Sequence, residues 1–197
     1  MPKPSLRDGI LDAGLKVMFD KGYVSAGVRE IVAEAGAPQG SFTNHFRSKE
    51  IFAREVLDRY FTHIRVLVAQ ALDDHTRSPR QRLERYIDLA MQHLAVDGHA
   101  RGCLIGDFSL ETTSLSALLR ERLVQIFAEW RAPFAACIAE GQALGEISRA
   151  FTAVDLADFL LASWEGAILR MKVERSAAPL ERFKRIALAM VCVATGV

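Results

Sequence analysis

Apolar positions recur every three or four residues along nearly the whole chain, and no long run alternates apolar with polar residues. That period predicts helices throughout. Leu6, Ile10, Ala13, Gly14 and Val17 line a first helix, opened by a Ser5-x-x-Asp8 cap resembling a capping box and closed at Lys21-Gly22. Val28, Ile31, Val32 and Ala35 form a second stripe, and Gly36 permits a left-handed exit from it. Pro38 suits a first helical position, so a third, short helix is expected over Gln39–Phe46, anchored by Phe42 and Phe46. Ser48 caps a long fourth helix that runs to about Leu72, with Phe52, Val56, Tyr60, Ile64 and Leu67 on one side.

Ser78-Pro79-x-Gln81 opens a fifth helix that ends at Asp97-Gly98, and residues 101–113 form a sixth. The seventh starts near Leu115, is expected to be interrupted by a kink at Pro133, and ends by Gly141 and Gly145. Thr152-x-x-Asp155 opens the eighth, which reaches about Glu174. Pro179 starts the ninth, with Phe183, Ile186, Ala187, Met190 and Val191 on its apolar face. The fold class is therefore all-α with nine helices: a small N-terminal three-helix module, then a larger bundle. The division is placed at 1–50 and 51–197, with helix four spanning it instead of a flexible linker.

Residues 27–50, GVREIVAEAGAPQGSFTNHFRSKE, combine two short helices about a tight turn with the capped start of a long one. Seven or eight residues are too few for a helix that stands alone. A short helix held by two aromatic anchors, with a polar edge outward, suits insertion into a DNA major groove. The stretch resembles the DNA-binding signature of the Tet repressor (TetR) family, roughly T-V-x-x-I-A-x-x-A-G-V-S-x-G-x-(L/F)-Y-x-(H/Y)-F-x-S-K-E. Ile31, Ala35, Gly36, Gly40, Phe42, His45, Phe46, Ser48, Lys49 and Glu50 fall in register with it. The resemblance implies a helix-turn-helix module, a C-terminal ligand-binding and dimerisation bundle, and a homodimer on a palindromic double-stranded operator. The effector it implies is a small molecule or an electrophile.

Asn and Gln bond bidentately to adenine, and Ser or Thr reach bases or phosphates. The expected recognition segment is Gln39, Gly40, Ser41, Phe42, Thr43, Asn44 and His45, with Phe42 serving as an anchor more than a contact. Arg29 and Lys49 suit phosphates. Thr43 stands where the family commonly has Tyr, and Gln39 where it commonly has Lys, which removes an aromatic contact and a charge. Pro38 and Gly27 stand where hydroxyl caps are usual, and Ser25 is the substitute cap considered for helix two.

Charge adds little to this picture. The net charge is +1 from 25 Lys and Arg against 24 Asp and Glu. The first 60 residues are nearly balanced as well, so nucleic-acid binding rests on motif and geometry instead of bulk charge. The N-terminal segment carries charges where a signal peptide needs an apolar core, and no apolar run is long enough to span a membrane. The three cysteines Cys103, Cys137 and Cys192 are widely spaced, which fits a reducing cytoplasm and argues against a structural metal site. No cofactor motif is present, and neither a metal nor a cofactor is expected.

Helix eight is apolar around most of its circumference, so it is buried on two sides. Either it is a central core helix, or its second side meets another subunit. The family resemblance favours the second, through Phe159, Leu160, Ala167, Ile168 and Met171 with Phe183, Ile186 and Met190 of the last helix. The segment GCLIGDFSLE is similar to the branch of the family that includes the repressor of the N-ethylmaleimide reductase operon, where a cysteine here senses electrophiles. Cys103 is expected in the first turn of helix six, near Arg101 and His99. Helix N–H groups and nearby cations would stabilise a reactive thiolate there. The alternative is a buried small hydrophobe, the reading preferred for Cys137 and Cys192.

Phe108, Phe127, Trp130, Phe134 and Trp164 line a ligand cavity in one reading and plain core in the other. Asp107 and Glu111 face either a cationic ligand or solvent. These readings converge on a ligand- or thiol-responsive, cytoplasmic, homodimeric DNA-binding regulator, most simply a repressor. The alternatives are a small helical enzyme or carrier with Cys103 as nucleophile, and an architectural DNA-binding protein that would leave the bundle without a purpose.

Overall fold

The computed structural model describes residues 5–192. Among them the helices run α1 Leu6–Ser25, α2 Val28–Glu34, α3 Ser41–His45, α4 Lys49–Leu72, α5 Pro79–Ala95, α6 Leu104–Thr112, α7 Ala117–Ala143, α8 Ala153–Glu174 and α9 Ala178–Val191. The only strand-like pairing among the described residues is an isolated bridge between Ile147 and Cys192. No helix of the described residues is long and apolar enough to cross a membrane.

Most boundaries follow from the caps. Ser48 Oγ accepts from the Ile51 N–H, and Ser78 with Gln81 forms a full capping box. Thr152 accepts from the Asp155 N–H at the start of α8. Four expectations shift. Helix three begins at Ser41, not at Gln39, because Pro38 sits in the turn before it and its carbonyl accepts from the Ser41 N–H. Ser25 ends α1 instead of capping α2, whose N-cap Gly27 makes no side-chain bond. Cys103 lies just before α6 and not inside its first turn. Helix α7 continues through Pro133, with Trp130 and Phe134 buried on either side of it.

The chain divides into two compact units. The first comprises residues 5–63 with Leu104–Gln125, and the second Ile64–Cys103 with residues 126–192. In the first unit, Phe42, Phe46 and Phe52 form a triangle with ring centroids 4.7–5.3 Å apart. All three are buried. Gly14 of α1 lets α4 approach: a Cβ there would lie 2.2 Å from Phe52 Cζ. Since Phe52 is fully buried, its ring has little room to yield. Gly14→Ala is expected to cost about 1–3 kcal/mol through overpacking; an unchanged urea midpoint would count against this packing.

Arg59 reaches Asp12 at 2.7 Å and Asp8 at 3.5 Å, Arg7 pairs with Glu55, and Arg122 Nε donates to Asp58 at 2.5 Å. Each such surface pair is worth little energy. Together they tie α1 and α7 to the charged side of α4.

In the second unit, α8 packs on α9 and α5 on α9. Lys184 of α9 bridges Asp88 at 2.7 Å and Glu84 at 3.1 Å on α5. Arg82 is buried, with 1 % of its surface exposed. Its Nη1 donates to the Leu72 carbonyl at 2.9 Å, at the end of α4, and lies 3.1 Å from His75 Nδ1. Its guanidinium also pairs with Glu140 of α7. One buried fork thus closes the last turn of α4 and holds α5 and α7 to it.

Candidate nucleic-acid interface and effector region

Helix α3 has only five residues, and its position comes from the aromatic triangle beneath it. Phe42 and Phe46 point inward, so the residues between them face outward: Thr43, Asn44 and His45 are exposed. Gln39 and Gly40 in the preceding turn are exposed, as is Arg29 on α2. The turn is made by Gly36 at φ 60°, a conformation that favours glycine. Thr43 Oγ1 donates to the Gly40 carbonyl at 3.0 Å, which fixes its rotamer against the first turn.

Two expected contacts are corrected by their surroundings. Ser41 is 6 % exposed, because it starts the helix on its inner face. Lys49 is turned back into the module: its Nζ donates to the Val24 carbonyl at 3.2 Å and lies 4.7 Å from the centre of the Tyr23 ring. Burial lowers its pKa below the ordinary lysine value, with Glu111 opposing that shift. Lys49 is a clamp between α4 and the end of α1. The sequence reading passed over Arg47, which is exposed in the α3–α4 turn directly beyond Phe46. Its place in the string His45-Phe46-Arg47-Ser48-Lys49 was the available signal.

Helix α6 belongs to the same unit and packs on α1. Phe108 meets Tyr23 at 5.7 Å between ring centres. Glu111 accepts from the Val24 N–H at 2.9 Å, beside Gly22, whose φ of 80° breaks α1. A Cβ on Gly22 would lie 2.2 Å from Glu111 Oε1, so the glycine is required both by its conformation and by this approach. Ser116 hydrogen-bonds Glu50 at the start of α4. Glu111 is thus a strut between α6 and the helix-turn-helix.

A tri-helical unit with a short, aromatic-anchored third helix and an exposed polar edge is a DNA-reading arrangement. The pattern of bacterial regulatory proteins of the tetR family matches residues 10–56, and that of the tetracyclin repressor-like C-terminal domain matches residues 79–187. The chain belongs to the TetR family. It is 43% identical to the HTH-type transcriptional repressor DhaR of Mycobacterium sp. (strain GP1), over 93% of this chain and 90% of that one. Among solved structures, a regulatory protein TetR from Rhodobacter sphaeroides is 35% identical with a TM-score of 0.89, covering 95% of this chain and 100% of its own. The reduced form of E. coli NemR is 25% identical with a TM-score of 0.89, covering 97% and 99%. The resemblance to the TetR family is thereby borne out, and NemR is among the chain's relatives. The chain is a TetR-family transcriptional regulator with a helix-turn-helix DNA-binding domain, and its relatives are regulators, not enzymes.

The aromatic residues expected to line an effector cavity of this TetR-family bundle separate into three groups. Phe134 and Trp164 line an apolar pocket with Tyr86, Leu160, Leu161 and Phe183. Phe108 does not, being in the first unit against Tyr23. Phe127 and Trp130 stack on each other at 6.5 Å, away from that pocket's lining. The pocket holds only about 20 Å³, against roughly 300–1,000 Å³ for sites that hold drug-sized ligands. All three cysteines are buried. For Cys137, whose Sγ lies 3.5 Å from the Pro79 carbonyl, burial pushes the thiol up to about 11, and burial raises Cys192 as well. Both are inert structural cysteines at neutral pH.

The two sides of α8 differ sharply. Leu160, Ile168 and Met171 are at most 7 % exposed within their own chain, so they are core residues and correct the interface expected of them. Phe159 is 44 % exposed, Ile186 46 % and Met190 62 %. With Ser163, Gly166, Ala167, Arg170, Arg182 and Phe183 they border a surface groove of about 240 Å³ along α8 and α9.

Proposed function

We propose that this regulator is a cytoplasmic, homodimeric repressor that reads a palindromic operator through α3 and leaves it when an effector acts on the second unit. The functional division is 1–50 for DNA binding and 51–197 for effector binding and dimerisation, with α4 spanning it. The exposed edge of α3 between two buried Phe anchors carries the DNA reading. Gln39, Thr43, Asn44 and His45 are the base-reading candidates, Gly40 permits close backbone approach, and Arg29 and Arg47 contact phosphates. Asn44→Ala is expected to lower operator affinity by about 1–3 kcal/mol while leaving non-specific binding in place. Arg47→Ala should weaken all sequences alike and reduce the salt slope by about one per half-site. Fluorescence anisotropy across a salt series checks both; operator affinity indifferent to Asn44 would remove α3 from the base-reading role.

The dimer forms through the outward faces of α8 and α9, with Phe159, Ile186 and Met190 as apolar anchors, Phe183 and Ala167 behind them, and Gly166 allowing close approach. A two-fold dimer places its recognition helices in successive major grooves about 34 Å apart. The repressor sign rests on kinship with DhaR, which is named a repressor.

Release works through the segment entering α6. Cys103 immediately precedes α6, and α6 carries Glu111 and Phe108, the residues that brace the broken end of α1. An electrophile bonded to Cys103 displaces the start of α6 and with it that brace. DNA-bound protein treated with an electrophile should dissociate, and Cys103→Ser should stay bound. Equal release of both would end the thiol reading.

A further inference from the structure

The small pocket of the second unit lies among α5, α7, α8 and α9, and its lining is apolar almost throughout. Tyr86, Phe134, Leu160, Leu161 and Trp164 form its floor, each at most 7 % exposed. Among the lining residues only Phe183 and Leu188, both of α9, are half-buried. The Phe183 ring stands 5.3 Å from that of Trp164, and Phe183 also borders the surface groove along α8 and α9. Leu188 does not line that groove. Ala187 lines both, but a methyl has no rotamer to change. One movable ring therefore separates the pocket from the face assigned to the partner subunit.

A void lined by hydrocarbon offers water no partners and stays dry. A polar ligand would lose its hydrogen bonds to water there and regain none. The lining thus admits an uncharged molecule built of apolar groups. Size sets the consequence. The resting void of about 20 Å³ takes one xenon-sized atom, whereas an apolar cavity of about 150 Å³ takes benzene. A ligand of that size needs a wall to move. The floor is held by close packing, so the ring that yields is Phe183, and it yields into the groove.

We propose that this pocket is a site for a small, uncharged, hydrocarbon-like molecule with Phe183 as its door, so that a ligand larger than the resting void loosens the pairing of two copies. The proposal rests on the dimer through α8 and α9 and is independent of Cys103. Binding and pairing meet at one ring, so the two are linked: whatever ligand entry takes from the dimer, dimer formation takes from the ligand. A ligand that fits without moving the ring leaves pairing unchanged.

The test joins methyl NMR shifts of the full-length protein to its dimer dissociation constant from sedimentation equilibrium, with xenon and benzene as probes. Both probes should shift the methyl groups of Leu160, Leu161 and Ala187. Saturating benzene should raise the dimer dissociation constant about ten-fold or more, and xenon should leave it unchanged. By reciprocity, a monomeric Phe159→Glu, Met190→Glu variant should bind benzene about three-fold more tightly than the wild-type dimer, since each dimer carries two sites. Phe183→Ala removes the door, and its dimer constant should no longer respond to benzene. No methyl shift with either probe would overturn the site. Methyl shifts with benzene and an unchanged wild-type dimer constant would overturn the door, as would equal weakening by xenon. A wild type that is monomeric without ligand would overturn the dimer interface itself, whatever the methyl groups report.

Discussion

Replacing Phe159 and Met190 together by Glu is expected to yield a folded monomer that no longer holds its operator at concentrations that saturate the wild type. Both side chains are exposed in the single chain, so their substitution leaves the core intact. Four added carboxylates would meet across a two-fold axis, where desolvated like charges are strongly unfavourable. Linking two half-site readers raises affinity by roughly 10²–10⁴ over either alone, and the near-neutral charge of this chain gives a single module little electrostatic reserve. Sedimentation velocity and anisotropy on one preparation check the result. A dimer that persists in the double variant would remove this face from the interface. Ile168→Glu is a contrasting case: Ile168 is 4 % exposed, so a charge there should unfold the chain instead of merely parting two copies.

Arg82→Ala is expected to lower stability by about 3 kcal/mol, from the loss of charge-assisted hydrogen bonds and of a filled volume. The guanidinium satisfies the Leu72 carbonyl at the end of α4 and pairs with Glu140 of α7, so both are released by one substitution. Urea unfolding measures this directly; a loss under 1 kcal/mol would show that the fork is not needed. The acid limb should change too. Chiefly through its bond with Arg82, the Glu140 carboxyl is held below its ordinary value of 4.5. A carboxyl depressed in the folded state contributes stability above its unfolded value and loses it as pH falls toward the folded one. That component, below about pH 4.5, should vanish in Arg82→Ala.

The local signals were strongest where a residue acts on its own backbone. Ser48, Ser78 with Gln81, Thr152, Gly36 and Gly22 mark caps and breaks in the sequence, and each acts there in the structure. Helix periodicity likewise separates Phe42 and Phe46 from the outward Thr43, Asn44 and His45. The signals failed where a side chain's role depends on a distant partner. Lys49 reads as a phosphate contact until Tyr23 and the Val24 carbonyl are seen beside it. Glu111 reads as a surface carboxylate until it meets the Val24 N–H, 87 residues away in sequence.

The amino-acid sequence alone determined the all-α class, the succession of helices, the helix-turn-helix and the family, because period, caps and motif residues act within a few positions of one another. Only the tertiary structure decided which face of α8 is core and which is free, since an all-round apolar helix carries no sign of where its partners lie. It alone made α6 the brace of the DNA-binding module. Such contacts depend on how helices pack through side chains remote in sequence, and no local pattern encodes that.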